Sequence, residues 1–361
     1  MCLKRNSNFQ NNIKYILASV VSLMAVVAAN SYAANDGSVN ALSWWGYLDS
    51  PAVAQEVKNK CNVNLSHDTY YTNNEFLRRV NTNKTHYDII IFSHTMYDLI
   101  KNQIPKNKVN LAAFAENFNP IIKKQYQQRN FPHNVIYFMH SLSGFLWNPN
   151  VISLSEQDSV EDIFRKANKN IVVMIDDPLE IWNLIDKTYG SKNNTEFKNY
   201  NETVPLNSDN FKRLIQNTTV YMANNYNQIY DQKNFAFAFG WSGDAIVYMK
   251  QANKSFKFLI HPKLSYISSD LMAAMNDDPQ TICVAKVLMS KKVLDIVENY
   301  TYYFSPYGDY QAVDLPIYRS IYQEVFKQLP HIQWLEAPLS SSDFEKMTNA
   351  WNEIQLNMHS N

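Results

Sequence analysis

Apolar residues along this chain gather in short unbroken runs. Residues 87–91, 135–139, 171–175, 235–239, 256–260 and 271–275 are such runs, each flanked by polar or turn-forming residues. Runs of this length, rich in Val, Ile and Phe, predict buried strands. Between them the spacing becomes helical. Ser342-Asp343-Phe344-Glu345 predicts a capping box, after which Phe344, Met347, Trp351 and Ile354 recur on one face. Asp278-Pro279 predicts another helix start, with Ile282, Cys283, Lys286 and Met289 tracing the spacing before the helix runs on to Val297. Strands alternating with helices predict an α/β architecture with mostly parallel sheets.

The first residues follow a different pattern. Lys4, Arg5 and Lys14 precede an apolar run over 15–29, and Ser31-Tyr32-Ala33 follows with small residues where a signal peptidase reads. The run is shorter than the roughly 20 residues of a membrane-spanning helix. It predicts a cleaved signal peptide over 1–33 and a soluble, periplasmic mature chain. Cys2 precedes the apolar run, so it is not placed as the lipidated cysteine of a lipoprotein. The remainder exceeds one typical domain, which predicts two lobes.

The chain carries 33 Lys+Arg and 33 Asp+Glu; loss of Lys4, Arg5 and Lys14 leaves 30 against 33, a net charge of −3. Nothing in that balance points to nucleic acid. Export leaves two cysteines, Cys61 and Cys283, in an oxidising compartment. One disulfide and two buried thiols are both open readings.

Several chemistries lack their residues. Gly240-Trp241-Ser242-Gly243 has its second glycine one position too early for a nucleophile elbow. The eight histidines show no metal-ligand spacing. With seven glycines in all, a phosphate-cradling loop has little to build on. No catalytic residue, metal or cofactor is expected.

Aromatics and acids instead cluster at predicted strand ends, where open α/β sheets bind ligands. Trp44-Trp45-Gly46-Tyr47-Leu48-Asp49 is the first group. Asp176-Asp177-Pro178-Leu179-Glu180 is the second; Asp177 and Glu180 also suit ordinary capping of the helix that Pro178 opens. Trp241-Ser242-Gly243-Asp244 is the third, with Asp244 suited to cap the next helix and Trp241 to face a cation.

In order and spacing these segments resemble the spermidine/putrescine-binding family of ABC-importer receptors. The resemblance also takes in Tyr70-x-x-Asn73-x-Glu75, Tyr87-Asp88-Ile89-Ile90-Ile91-x-Ser93, the stretch 145–148 and the stretch 285–306. It implies a two-lobed, type II periplasmic-binding fold, with 34–147 plus 268–312 as one lobe and 148–267 plus 313–361 as the other. It implies a non-enzymatic, monomeric receptor for a polyamine or similar organic cation, partnered by a membrane permease. By position it assigns the ligand to Tyr47, Asp49 and Ser93 from one lobe, Asp177, Glu180 and Trp241 from the other, and Tyr303 from a late crossing. Where the family has a tryptophan and an aspartate, the aligned residues here are Ile267 and Ser269. Strand alternation then turns Asp270 to the opposite face. A cleft glutamine of the family aligns with Leu335.

Overall fold

A computed structural model describes residues 37–82, 86–106, 108–189, 208–224, 228, 234–252, 255–335 and 340–358. The segment predicted as a signal peptide, 1–33, lies outside them.

Ten strands are found among the described residues: β1 (Ser38–Trp44), β2 (Asn64–Tyr70), β3 (Ile89–Ser93), β4 (Val135–Trp147), β5 (Ile171–Ile175), β6 (Thr219–Ala223), β7 (Phe235–Trp241), β8 (Lys257–Leu259), β9 (Tyr266–Ala274) and β10 (Gln333–Trp334). They follow the order β2-β1-β3-β9-β4-β7-β5-β6, with β10 added to β9 and β8 to β4. Each of the six short apolar runs between 87 and 275 overlaps a strand. β1, β2, β6 and β10 escaped that reading: SVNALSW and NLSHDTY form no apolar run, β2 and β6 are edge strands with alternating exposure, and β10 is two residues long.

β4 and β9 are buried along their whole length and join the two lobes. β4 pairs with β9 as far as Leu142↔Ile267, then with β7 from Ser143↔Trp241. The chain therefore passes from one sheet to the other at Leu142 and Ser143, just before the stretch 145–148. Pairing is parallel for β1 with β2 and β3, and for β5 with β6 and β7. It is antiparallel wherever β4 takes part and between β3 and β9. The sheets are mixed, because a chain that crosses between lobes and returns must run against its neighbours.

One apolar cluster joins Leu42, Ile90, Phe92, Tyr137 and Met272 to Val284, Leu294 and Tyr322. A second, around Phe145, Met174, Trp182, Phe211, Phe237 and Trp351, packs the outer side of β5 and β7. Each such side chain, fully buried, contributes about 1.5–3 kcal/mol.

Two helical expectations change in detail. The cap of the last helix, Ser341–Met358, is Ser340, whose Oγ accepts from Asp343 N at 3.1 Å, two residues before the cap read from the sequence. The helix opened by Asp278-Pro279 stops at Leu288, and Ser290 starts a separate helix, Lys291–Thr301. Its Oγ accepts from Val293 N, a preference stronger in serine than continuation of the helix. Cys61 and Cys283 form a disulfide between the helices Pro51–Cys61 and Pro279–Leu288, with Cα atoms 5.8 Å apart.

Candidate ligand-binding site

The carboxyl ends of β1, β5 and β7 open onto one cavity of about 330 Å³ between the lobes. Its position follows from the sheet order: loops leaving parallel strands at the same end converge there. Of the seven residues assigned by resemblance, Tyr47, Ser93, Asp177, Glu180, Trp241 and Tyr303 line this cavity. Asp49 does not. It lies beneath the turn that leaves β1, where its Oδ2 accepts from Gly46 N at 2.5 Å and its Oδ1 sits 3.1 Å from His67 Nε2. Gly46 has φ +98°, a conformation that a Cβ would strain, and this bend swings Trp45 and Tyr47 toward the cavity.

The acid pair after β5 divides its work. Asp176 Oδ1 accepts from Trp351 Nε1 at 2.9 Å and so holds the last helix. Asp177 caps the helix Pro178–Tyr189, its Oδ1 accepting from Leu179 N at 2.9 Å. Its Oδ2 accepts from Asn73 Nδ2 at 3.0 Å, across the cleft. Capping and cavity lining are thus both realised, on different oxygens. Glu180, buried in the first turn of that helix, accepts from Tyr266 Oη.

After β7, Asp244 lines the cavity in the first turn of the helix Ser242–Ala252, and Tyr303 Oη donates to its Oδ2 at 3.3 Å. Gly243 permits this approach, because a Cβ there would lie 2.5 Å from Thr301 O and 2.6 Å from the Tyr303 ring. Ser242 is fully buried, and its Oγ lies 2.8 Å from Tyr322 Oη and accepts from Leu142 N. It is a structural hydroxyl joining helix to crossing, with no histidine among the partners found.

Asp270 corrects the sequence reading. It lines the cavity together with Ser268, and its Oδ2 accepts from Tyr47 Oη. Ile267 and Ser269 face away: Ile267 is core, and Ser269 Oγ lies 2.7 Å from His140 Nδ1. Asp270, expected on the opposite face, is therefore the acid that this strand turns to the cavity. Leu335 is buried, and its carbonyl oxygen lies 2.8 Å from His94 Nε2.

The aromatic walls are ordered by mutual contact. Trp44 packs on Tyr70 with centroids 4.5 Å apart, Trp45 stacks on Tyr71 at 6.3 Å, and Trp241 meets Tyr266 edge-on at 6.0 Å. Burial pushes the carboxyl of Asp270 up to about 7, with the Tyr47 hydroxyl acting against it. Burial likewise pushes Asp177 up to about 6, opposed by the Leu179 N–H and the Asn73 amide. Lys250 is the basic residue among the described lining residues; it is exposed and donates to Tyr302 Oη at 2.7 Å. Among the described residues, no three His, Cys, Asp or Glu side chains gather as a metal site, and no helix is long and apolar enough to cross a membrane.

No protein-family model matches the sequence, and no curated protein matches it. Solved structures do. A Listeria monocytogenes protein described as a spermidine/putrescine ABC transporter superposes with a TM-score of 0.72 at 13% identity, over 89% of this chain and 99% of its own. The fold is that of the type II periplasmic binding proteins. The spermidine/putrescine substrate-binding protein PotD of Streptococcus pneumoniae shares it, with a TM-score of 0.63 at 17% identity over 90% of this chain and 99% of its own. So does MotA of A. tumefaciens, solved with glucopine, with a TM-score of 0.65 at 13% identity over 88% and 99%. These type II neighbours are solute-binding proteins, and the solutes named for them differ.

Proposed function

We propose that this chain is an extracytoplasmic solute-binding receptor that delivers an organic cation of the polyamine kind to the membrane permease of an ABC importer. The observation that carries this reading is the cavity wall: Asp177, Glu180, Asp244 and Asp270 contribute carboxylates, and tryptophan and tyrosine rings make up much of the remainder. An ammonium group gains about 1.5–3 kcal/mol from each charge-assisted hydrogen bond. Each ring face adds about 0.5–2 kcal/mol. After the costs of ordering, micromolar binding follows.

In this reading Tyr47, Ser93, Asp177, Glu180, Trp241 and Tyr303 touch the ligand, joined by Asp244 and Asp270. Asp49 supports the turn that presents Tyr47. Lobes formed by 34–147 plus 268–312 and by 148–267 plus 313–361 close over the solute. Met347 and Trp351 pack in the second cluster, which supports assigning the last helix to the second lobe, whereas Tyr318, Tyr322 and Val325 pack in the first cluster and speak for the first lobe. Residues 1–33 direct the chain to the periplasm, where it acts as a monomer that binds and does not catalyse.

A second reading keeps the fold and changes the solute. Lys250 at the cavity wall could pair with the carboxylate of an amino-acid-like molecule, and the glucopine complex of a protein with this fold supports that choice. A thermal-shift scan separates the two, since a ligand stabilises the state it binds. A rise in melting temperature with putrescine or spermidine and none with γ-aminobutyrate supports the cation receptor. The reverse pattern supports the second reading.

A further inference from the structure

Asn73 lines the cavity, yet its local structure makes no use of its amide. It is the first residue of the helix Asn73–Asn81, and Thr72 is the cap: its Oγ1 accepts from Glu75 N at 3.1 Å. Glu75 answers by accepting from Tyr71 N at 3.1 Å and is itself held by Arg79 Nη2 at 2.7 Å. This reciprocal cap fixes the helix start and sends the Asn73 side chain across the cleft, where Nδ2 meets Asp177 Oδ2. The residue is 7% exposed, and its Oδ1 has no hydrogen-bond partner.

An orphaned carbonyl oxygen this deeply buried is costly, and it adjoins the carboxylate that takes the ligand's charge. The amide nitrogen occupies, on Asp177 Oδ2, the place that a ligand N–H would take. A half-turn of the amide exchanges Nδ2 for Oδ1. Asp177 Oδ2 and Asn73 Oδ1 then become two acceptors beside one point. A primary ammonium carries three N–H donors and can serve both, whereas a fully methylated ammonium carries none.

We infer that Asn73 is a specificity-determining residue that, with Asp177, selects a primary ammonium group over a methylated one across the closing cleft. This rests on the organic-cation reading of the cavity. A site that hydrogen-bonds its ligand rejects an analogue lacking the donor, because its own buried polar groups are left unpaired.

Calorimetric titration with putrescine and with fully N-methylated putrescine tests it, on wild type, Asn73→Leu and Asn73→Asp. Wild type is expected to prefer putrescine by at least about tenfold, and Asn73→Leu to bring the two within about threefold by losing putrescine affinity. Asn73→Asp, which retains an acceptor, is expected to keep the preference. An unchanged preference in Asn73→Leu, no preference in wild type, or a lost preference in a cation-binding Asn73→Asp would each overturn the assignment. Should Asn73→Leu fail to fold, Asn73→Asp decides. Wild type that binds neither compound removes the organic-cation reading itself, and this assignment with it.

Discussion

The hydroxyl of Tyr47 donates to Asp270 Oδ2 across 223 positions of sequence, tying the turn after β1 to the cavity face of β9. The pair sits where burial holds Asp270 up to about 7. Because the unfolded carboxyl ionises near 3.8, folding takes up a proton between those values, and this group makes stability fall as pH rises from about 4 to about 7. Asp177 and Glu298, held up to about 6 and about 7 by burial, act in the same sense. His94 and His140, pushed down by burial to about 4 and about 3, act in the opposite sense below 6.5.

The whole-protein curve is thus a difference of opposing effects, and a variant isolates one of them. Asp270→Asn is expected to melt above the ligand-free wild type at about pH 8, with the gap closing toward about pH 4. A gap independent of pH, measured by calorimetry, would contradict the burial of a charge at this position.

Cation affinity should rise with pH over the same interval. Asp177 and Asp270 are partly protonated in the empty cavity, and a bound cation favours their charged forms, so binding releases protons. Titrations at about pH 5.5 and about pH 7.5 are expected to give the tighter constant at the higher value. A flat or falling dependence would mean that these carboxyls do not meet the ligand.

Asp177→Asn is expected to weaken putrescine binding by more than about tenfold without lowering the melting temperature, because asparagine caps a helix about as well as aspartate and removes a charge that burial disfavours. A lower melting temperature with intact binding would return Asp177 to capping alone.

Gly243→Ala places a methyl group against Thr301 O and the Tyr303 ring. Overpacking of this kind costs about 1–3 kcal/mol. Denaturant unfolding is expected to report that loss, with weaker ligand binding as Tyr303 and Asp244 move apart. Wild-type stability in the variant would contradict the close approach.

The Cys61–Cys283 bridge spans 222 residues of sequence. Replacing both cysteines by serine is expected to lower stability by about 2–5 kcal/mol with little change in affinity, since neither cysteine lines the cavity. Equal denaturation midpoints for the two proteins would argue against the bridge.

Six of the ten described strands and most of the cavity were legible in the sequence because both rest on local signals. Buried strands such as β5 announce themselves as Ile-Val-Val-Met-Ile, and strand ends followed by acids and aromatics mark where a sheet opens. The edge strands β2 and β6, and the polar-interrupted β1, gave no such signal. Asp270 was misread because a one-residue offset reverses a strand side chain, and only the pairing of β9 with β3 and β4 fixes which face is which. Asn73 was visible as part of a motif, but its reach to Asp177 depends on how two lobes meet. Asp244 suits a cap by sequence, but the helix starts two residues earlier at Ser242 and Asp244 sits inside its first turn; that it faces Tyr303 follows from Gly243 allowing the two segments to touch.

The central claim is that the cavity receives an organic cation. Calorimetric titration of residues 34–361 with putrescine, spermidine and spermine, after unfolding and refolding to strip bound solute, tests it most directly. Saturable one-to-one binding that fails with an uncharged diol of matched length is the predicted result. Absence of heat with all three amines, from protein that melts cooperatively, would contradict it.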